Sequence, residues 1–209
     1  MKITGVPATI GLVGFALELS VAWAHALAHP LEVTLSDPHG LLLEPYAVRD
    51  EITSLLSDAG VRPDWTEFRG PAAGAGAEVN IVVSPSVPSG PGWTLEPTAM
   101  GVYLTDGESS VVFVFHRSIL SALGLPAARE RLLDPKERRD VRRALARVAV
   151  HEVIHRLVPG LRHAEGGLMQ SDLDRNALTR RRIEIDEVSR NALVKAVASL
   201  AFTGRAGRK

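Results

Sequence analysis

The chain has 209 residues, of which 45% are hydrophobic and 23% charged, and its 24 basic and 24 acidic residues give a formal net charge of +0. This length fits one domain with or without a targeting segment, and the apolar fraction is sufficient for a buried core. The balanced charge argues against a nucleic-acid partner, because phosphate binding requires a basic surface. The sequence contains no cysteine, which excludes disulfides, thiolate metal ligands and cysteine nucleophiles.

The first 26 residues have the pattern of a secretory signal peptide. Lys2 precedes a mostly apolar run over residues 3–23, and Ala24 and Ala26 supply the small residues expected before a cleavage site. We therefore expect residues 1–26 to be removed, leaving a secreted or periplasmic domain without a stable membrane span. The run approaches the length of a span but contains Glu18, so an uncleaved anchor and a buried helix are alternatives.

After residue 30 the pattern alternates between strands and helices. Period-two alternation and short apolar runs predict strands over residues 31–35, 65–68, 79–83, 100–104 and 111–115, of which the last two form a hairpin. Helical spacing predicts a helix that begins at Pro45 and ends before Gly60, a long helix after Asp134, and a last helix through residues 183–200. This order indicates an α/β fold with a mixed sheet.

The long helix carries the clearest start and stop signals. Asp134 is the expected N-cap, Pro135 suits the first helical position, and Glu137 completes a capping box. Pro159 and Gly160 are expected to end the helix. Its early turns carry a group of arginines that we interpret as a solvent-exposed face, namely Arg138, Arg139, Arg142, Arg143 and Arg147.

The motif His151-Glu152-Val153-Ile154-His155 lies in the second half of this helix. Two histidines four positions apart project from one face, so that both imidazoles can bind one ion. Glu152 is placed to act as a general base on a water molecule that zinc activates. A catalytic zinc site requires three protein ligands and an open position, so one more ligand must follow. The alternative is a pair of surface or core histidines that bind no metal.

A glycine, a third histidine and a methionine follow the motif. Gly160 ends the helix, His163 lies three residues later, and Met169 belongs to a Gly-Gly-Leu-Met run. Over residues 151–169 the chain resembles the metzincins, most nearly their matrixin-like branch, in which HExxHxxGxxH precedes a methionine turn. The chain departs from this pattern at one point, since seven residues separate His155 from His163 where the family has five. A slightly longer helix and a returning loop can accommodate the two additional residues.

The resemblance implies a zincin-like fold, in which a backing helix, a long active-site helix and a C-terminal helix pack on a mixed sheet. It implies that residues 27–209 form a zinc metallopeptidase that hydrolyses bonds in peptide or protein substrates. The implied roles are zinc ligands for His151, His155 and His163, general base for Glu152, and turn residue for Met169. The substrate would lie extended along the edge strand, here residues 100–104.

Several alternatives remain open. Carboxylates compete with His163 for the place of third ligand, either on a later helix, Glu184 or Glu187, or on a loop, Glu165 or Asp172. Met169 is otherwise an ordinary core methionine, and His116, at the end of an expected strand, is interpreted as structural. The alternative function is a non-catalytic, zinc-containing peptide-binding domain or a membrane-anchored interaction domain.

Overall fold

The computed structural model describes residues 29–67, 78–88, 95–106, 109–126 and 132–206, so the expected signal peptide, residues 1–26, lies outside it. The strands in these ranges are β1 (His29–Ser36), β2 (Val61–Trp65), β3 (Glu78–Ser84), β4 (Gly101–Asp106) and β5 (Ser109–Phe115). The helices are α1 (Pro45–Asp58), α2 (His116–Ala122), α3 (Pro135–Leu157), α4 (Arg175–Thr179) and α5 (Glu187–Ala206). No helix in these ranges is long and apolar enough to cross a membrane.

The strands form one mixed sheet in the order β2-β1-β3-β5-β4. β1 pairs in parallel with β2 and β3, and β3 pairs in parallel with β5. β4 forms an antiparallel hairpin with β5, from Gly101 opposite Val114 to Asp106 opposite Ser109. β4 is therefore an edge strand, and the predicted α/β fold with a mixed sheet is confirmed.

β3 lies at the centre of the sheet. Its Val79, Ile81 and Val83 are almost completely buried, as expected for a strand covered by packed helices. The polar Asn80 is also buried, and its Oδ1 accepts a 2.6 Å hydrogen bond from Thr34 Oγ1 on β1. This pairing offsets the cost of removing both polar groups from water.

α3 connects most of the molecule, since it contacts β4, β5 and each of the other helices. Its predicted capping box is confirmed. Asp134 Oδ1 accepts hydrogen bonds from the N–H groups of Lys136 and Glu137 at 2.7 and 2.8 Å, and Glu137 Oε2 accepts one from Asp134 N–H at 2.9 Å. The helix ends at Leu157, and Gly160 then redirects the chain with a φ of 79°, a conformation that favours glycine.

Three expectations about β2, α2 and α3 were wrong. A strand was expected at residues 65–68, of which residue 68 lies outside the described residues, but β2 covers residues 61–65. Pro63 is tolerated within β2 because this strand lies at the edge of the sheet. His116 begins α2 instead of ending a strand, and it is buried. Arg147 does not belong to a solvent-exposed face, since its exposure is only 3%. Arg147 is an interior residue, and its guanidinium group donates hydrogen bonds to backbone carbonyl groups.

The segment after α3 also differs in detail from the expectation. The short helix α4 was not predicted, and it is capped by Asp174 Oδ1, which accepts a hydrogen bond from Ala177 N–H at 2.7 Å. α5 begins later than residue 183, after Asp186, whose Oδ1 accepts a hydrogen bond from Ser189 N–H at 2.9 Å. These two side-chain caps set where the helices begin.

Candidate metal centre

Three histidine side chains converge near the C-terminal end of α3. His151 and His155 project from the helix, and His163 approaches from the loop that follows it. Nε2 of His155 lies 3.1 Å from Nε2 of His151 and 3.1 Å from Nε2 of His163. Ligand atoms from the three rings all lie within 4.8 Å of one another. The structure therefore brings the three expected ligands together.

The spacing and chemistry of these nitrogens fit a zinc ion. Two ligands of a tetrahedral zinc, with Zn–N bonds of about 2.0–2.1 Å, lie about 3.3 Å apart. The two separations from His155 are close to that value, at 3.1 Å each. A neutral His155 can donate one hydrogen bond through Nε2, which leaves one neighbouring nitrogen without a partner. A single cation would interact with all three nitrogen lone pairs.

The ring of His151 is oriented by the turn that precedes Met169. Nδ1 of His151 lies 2.9 Å from the carbonyl oxygen of Leu168, which can only accept, so Nδ1 carries the proton. Nε2 is left with its lone pair directed at the other rings. A hydrogen bond of this kind is typical of metal-binding histidines, because it fixes the tautomer and the ring orientation.

Burial keeps the two helical imidazoles neutral. It lowers the pKa of His151, against the hydrogen bond to Leu168, which favours the protonated ring. It also lowers the pKa of His155 to about 4, and the neighbouring rings of His151 and His163 lower it further, because protonated imidazoles so close together would repel each other. Neutral imidazole is the form that binds metal, so these two side chains need not release a proton near neutral pH.

The loop that carries His163 is closed by backbone contacts. Gly160 turns the chain out of the helix, and Ala164 N–H donates a 2.8 Å hydrogen bond to the carbonyl oxygen of Met169. This bond joins the two ends of the segment that follows His163. The two additional residues before His163, relative to the metzincin pattern, therefore do not prevent its ring from reaching His155.

The turn that ends in Met169 packs closely against the segment before α5. Leu168 N–H donates a 2.8 Å hydrogen bond to the carbonyl oxygen of Glu184. Gly167 adopts a φ of 80°, and a Cβ at that position would lie 2.5 Å from the same carbonyl oxygen. Met169 is completely buried. The turn thus has one tightly defined position, from which Leu168 orients the ring of His151.

Glu152 lies between α3 and the edge strand. Its carboxyl group is partly buried, and burial raises its pKa to about 7. Gly101, the first residue of β4, approaches so closely that a Cβ there would lie 2.8 Å from Glu152 Cγ. A group with a pKa near neutral can both accept and donate a proton at that pH, as a general acid–base catalyst must.

A cavity of about 250 Å³ opens beside His151 and Glu152. Its walls come from residues 96–101, which lead into β4, from α3, and from the loop over residues 171–173. The cavity therefore lies next to the position at which a substrate bond would meet the candidate metal centre.

Tyr103 lies near the site, although its sequence pattern did not predict a role there. Its ring stacks with that of His155, with centroids 6.5 Å apart and planes at 18°. Tyr103 follows Gly101 by two positions on β4, so both face α3. The spacing of two between Gly101 and Tyr103 can be read from the sequence. That both residues face the metal centre follows only from the packing of β4 against α3.

Arg147 is the second such residue, and it lies one helical turn before His151. Its guanidinium group donates a 2.6 Å hydrogen bond to the carbonyl oxygen of Ala177 and another to that of Arg180. Burial lowers its pKa to about 10, so the side chain remains charged near neutral pH. Arg147 thus connects α3 to α4 and to Arg180, the residue that follows α4. Its spacing of four from His151 is the signal that separates it from the other arginines.

The carboxylates considered as alternative ligands do not join the histidines. Among the described residues, the group that could hold a metal ion consists of His151, His155 and His163. The side chains of the four carboxylates are exposed, namely Glu165, Asp172, Glu184 and Glu187. Glu184 contributes to the site through its backbone carbonyl, which anchors the turn.

No protein-family model matches the chain, and no curated protein matches it. The crystal structure of an archaemetzincin from Methanopyrus kandleri, at 1.5 Å resolution, is similar with a TM-score of 0.51. The two chains share a fold. The similarity covers 80% of this chain and 96% of the archaemetzincin, at 12% sequence identity, so it concerns the fold alone. The zincin-like fold expected from the sequence is confirmed, whereas membership of the matrixin-like branch stays a prediction.

Proposed function

We propose that this chain is a zinc-dependent endopeptidase that hydrolyses peptide bonds in peptide or protein substrates. His151, His155 and His163 are the zinc ligands in this proposal, and Glu152 is the general base. The observation that carries it is the convergence of the three imidazoles beside a partly buried carboxyl group, with Nε2 of His155 3.1 Å from Nε2 of each of the other two histidines. The shared fold with an archaemetzincin supports the same assignment.

The protein's own groups account for the proton transfers of the reaction. Zinc held by three imidazoles supplies a Lewis acid that polarises the scissile carbonyl group and lowers the pKa of water. Glu152 accepts a proton from the attacking water and delivers it to the leaving amine nitrogen. Burial raises the pKa of this carboxyl group above its ordinary value, which favours proton transfer in both directions.

The edge strand β4 offers a surface for an extended substrate. One side of β4 has no neighbouring strand among the described residues, so a peptide can pair with its backbone as an added strand. Gly101 and Tyr103 hold β4 beside Glu152 and His155. A peptide bound to β4 would therefore pass next to the three histidines.

The variant Glu152→Gln tests this function, because it keeps the shape of the side chain and removes its basicity. We expect kcat for cleavage of a fluorescence-quenched peptide library to fall by about 10²–10⁴-fold, the range for loss of a general base. The zinc content should equal that of the wild type. Glu165→Gln is the matched control, since Glu165 is exposed and is not part of the histidine group.

Two results would contradict the proposal in different ways. Full activity in Glu152→Gln would remove Glu152 from the reaction. A wild-type protein that binds zinc and peptides but cleaves none of the library would instead favour the non-catalytic peptide-binding domain.

We also propose that the protein is secreted or periplasmic after removal of residues 1–26. The support is the sequence pattern of Lys2, the apolar run and the small residues Ala24 and Ala26. N-terminal sequencing of the protein recovered from its producing cells should begin at Leu27. An intact N-terminus in a membrane fraction would indicate an anchored protein instead.

A further inference from the structure

The cavity beside the candidate metal centre has room for one long side chain. Its volume is about 250 Å³, below the range of about 300–1,000 Å³ that is typical of pockets for drug-sized ligands. Ala99 and Gly101 on one wall and Ser171 on the opposite wall are small, which keeps the space between β4 and the loop open. His151 and Glu152 line the same cavity, so a side chain inside it would belong to a residue that flanks the scissile bond.

The lining of the cavity combines apolar and acidic residues with the polar side chains of Thr98, His151 and Ser171. Met100, Val148 and Leu173 supply apolar surface, and Val148 and Leu173 are buried in the core. Glu96 and Asp172 also line the cavity, and both are exposed to solvent. Among the residues that the structure describes, the lining contains no lysine or arginine. A guest with an apolar stem and a positively charged end matches this combination.

We propose that this cavity selects a lysine or arginine side chain next to the scissile bond, an inference that rests on the endopeptidase function proposed above. The methylene groups of such a side chain pack against Met100, Val148 and Leu173. The charged end stays near solvent and pairs with Glu96 and Asp172. Long basic side chains bury their stems and keep their charged ends hydrated in this way. An acidic side chain would meet two like charges at the same place.

Three peptides that differ at a single position test the proposal. The position carries lysine, norleucine or glutamate in an otherwise uncharged peptide, and it is placed in turn on either side of the cleaved bond. Norleucine has the stem of lysine without its charge, so the ratio of kcat/KM for lysine to norleucine isolates the electrostatic effect. We expect a ratio of about tenfold for a pair of exposed carboxylates. The ratio should fall as salt is raised, because exposed charges are screened.

The double variant Glu96→Gln/Asp172→Asn should reduce the lysine-to-norleucine ratio of kcat/KM to about one. Glu165→Gln, which removes an exposed carboxylate that does not line the cavity, should keep the wild-type ratio. A wild-type ratio of one, a preference for glutamate, or a ratio unchanged in the double variant would overturn the proposal.

Binding measurements separate this proposal from the proposed peptidase activity. Dissociation constants of the same peptides for the zinc-loaded Glu152→Gln variant should show the preference for lysine over norleucine without any cleavage. If the wild type cleaves no peptide but this preference is present, the peptidase assignment fails and the selectivity stands. If cleavage occurs and neither assay shows a preference for lysine, the selectivity fails and the peptidase assignment stands.

Discussion

Replacing Gly101 by alanine should impair catalysis without removing the metal. A Cβ at this position would lie 2.8 Å from Glu152 Cγ, 2.8 Å from Val148 Cγ1 and 3.2 Å from the carbonyl oxygen of Phe113. Ordinary contacts begin near 3.4 Å, so the first two neighbours must move by at least the 0.6 Å difference between 3.4 and 2.8 Å. β4 cannot easily retreat, because Phe113 lies opposite Val102 in its hairpin partner β5. The displacement therefore reaches Glu152.

The expected size of this effect follows from the displacement. A misplacement of 1 Å near a reacting group can cost about 10²-fold in rate, so we expect kcat/KM to fall by roughly tenfold to a hundredfold. Overpacking should also lower the free energy of unfolding by about 1–3 kcal/mol. The three atoms nearest to the added methyl group belong to Glu152, Val148 and Phe113 and not to a histidine. Zinc content should therefore stay at the wild-type level.

The assay compares kcat/KM, the melting temperature and metal content in Gly101→Ala, with Gly166→Ala as the matched control. Gly166 has no atom within 4 Å of an added Cβ, so its substitution should change none of the three. Wild-type kcat/KM in Gly101→Ala would refute the inference that β4 and Glu152 are packed together at a functional contact. Loss of zinc in the same variant would show that the contact supports the metal centre instead.

Three further substitutions test how the site is held. Tyr103→Ala should weaken zinc binding by about tenfold in a chelator competition, because it removes the ring stacked on His155, whereas Tyr103→Phe should bind like the wild type. Arg147→Met removes a charged donor from the carbonyl groups of Ala177 and Arg180. It should therefore lower the free energy of unfolding by about 3 kcal/mol and the melting temperature by roughly 6–12 °C. An unchanged melting temperature would contradict this role. Gly167→Ala should lower the free energy of unfolding by about 1–3 kcal/mol and weaken zinc binding, because φ is 80° and the added Cβ would lie 2.5 Å from the carbonyl oxygen of Glu184. Zinc affinity equal to that of the wild type would show that the position of the turn does not affect the metal centre.

The features that could be predicted from the sequence are those set by local geometry. The capping box of Asp134 and Glu137 lies within four residues, and His151 and His155 share a helix face because of their spacing. Four of the five strands also lie where alternation and turn signals predicted them, namely β1, β3, β4 and β5. In each case the residues that determine the structure lie close together in the chain, so that no knowledge of the tertiary fold was required.

The remaining features depend on contacts between segments distant in sequence. Tyr103 and Gly101 matter because β4 lies against α3, and no local pattern predicts this pairing. The spacing of four places Arg147 on the same face as His151, but its hydrogen bonds to the backbone of Ala177 and Arg180 depend on the tertiary fold. The edge position of β2, which tolerates Pro63, follows from the order of strands in the sheet. Sequence patterns predict individual helices and strands, whereas the roles of these residues depend on how the helices and strands pack together.

The metal content of the purified protein, measured beside single histidine variants, tests the central claim most directly. We predict one zinc ion per chain in the wild type and in the control His39→Ala, whose side chain is exposed outside the site. His151→Ala, His155→Ala and His163→Ala should each lose zinc or bind it far more weakly. Wild-type zinc content and affinity in His163→Ala would contradict the account, because the third ligand would then lie elsewhere.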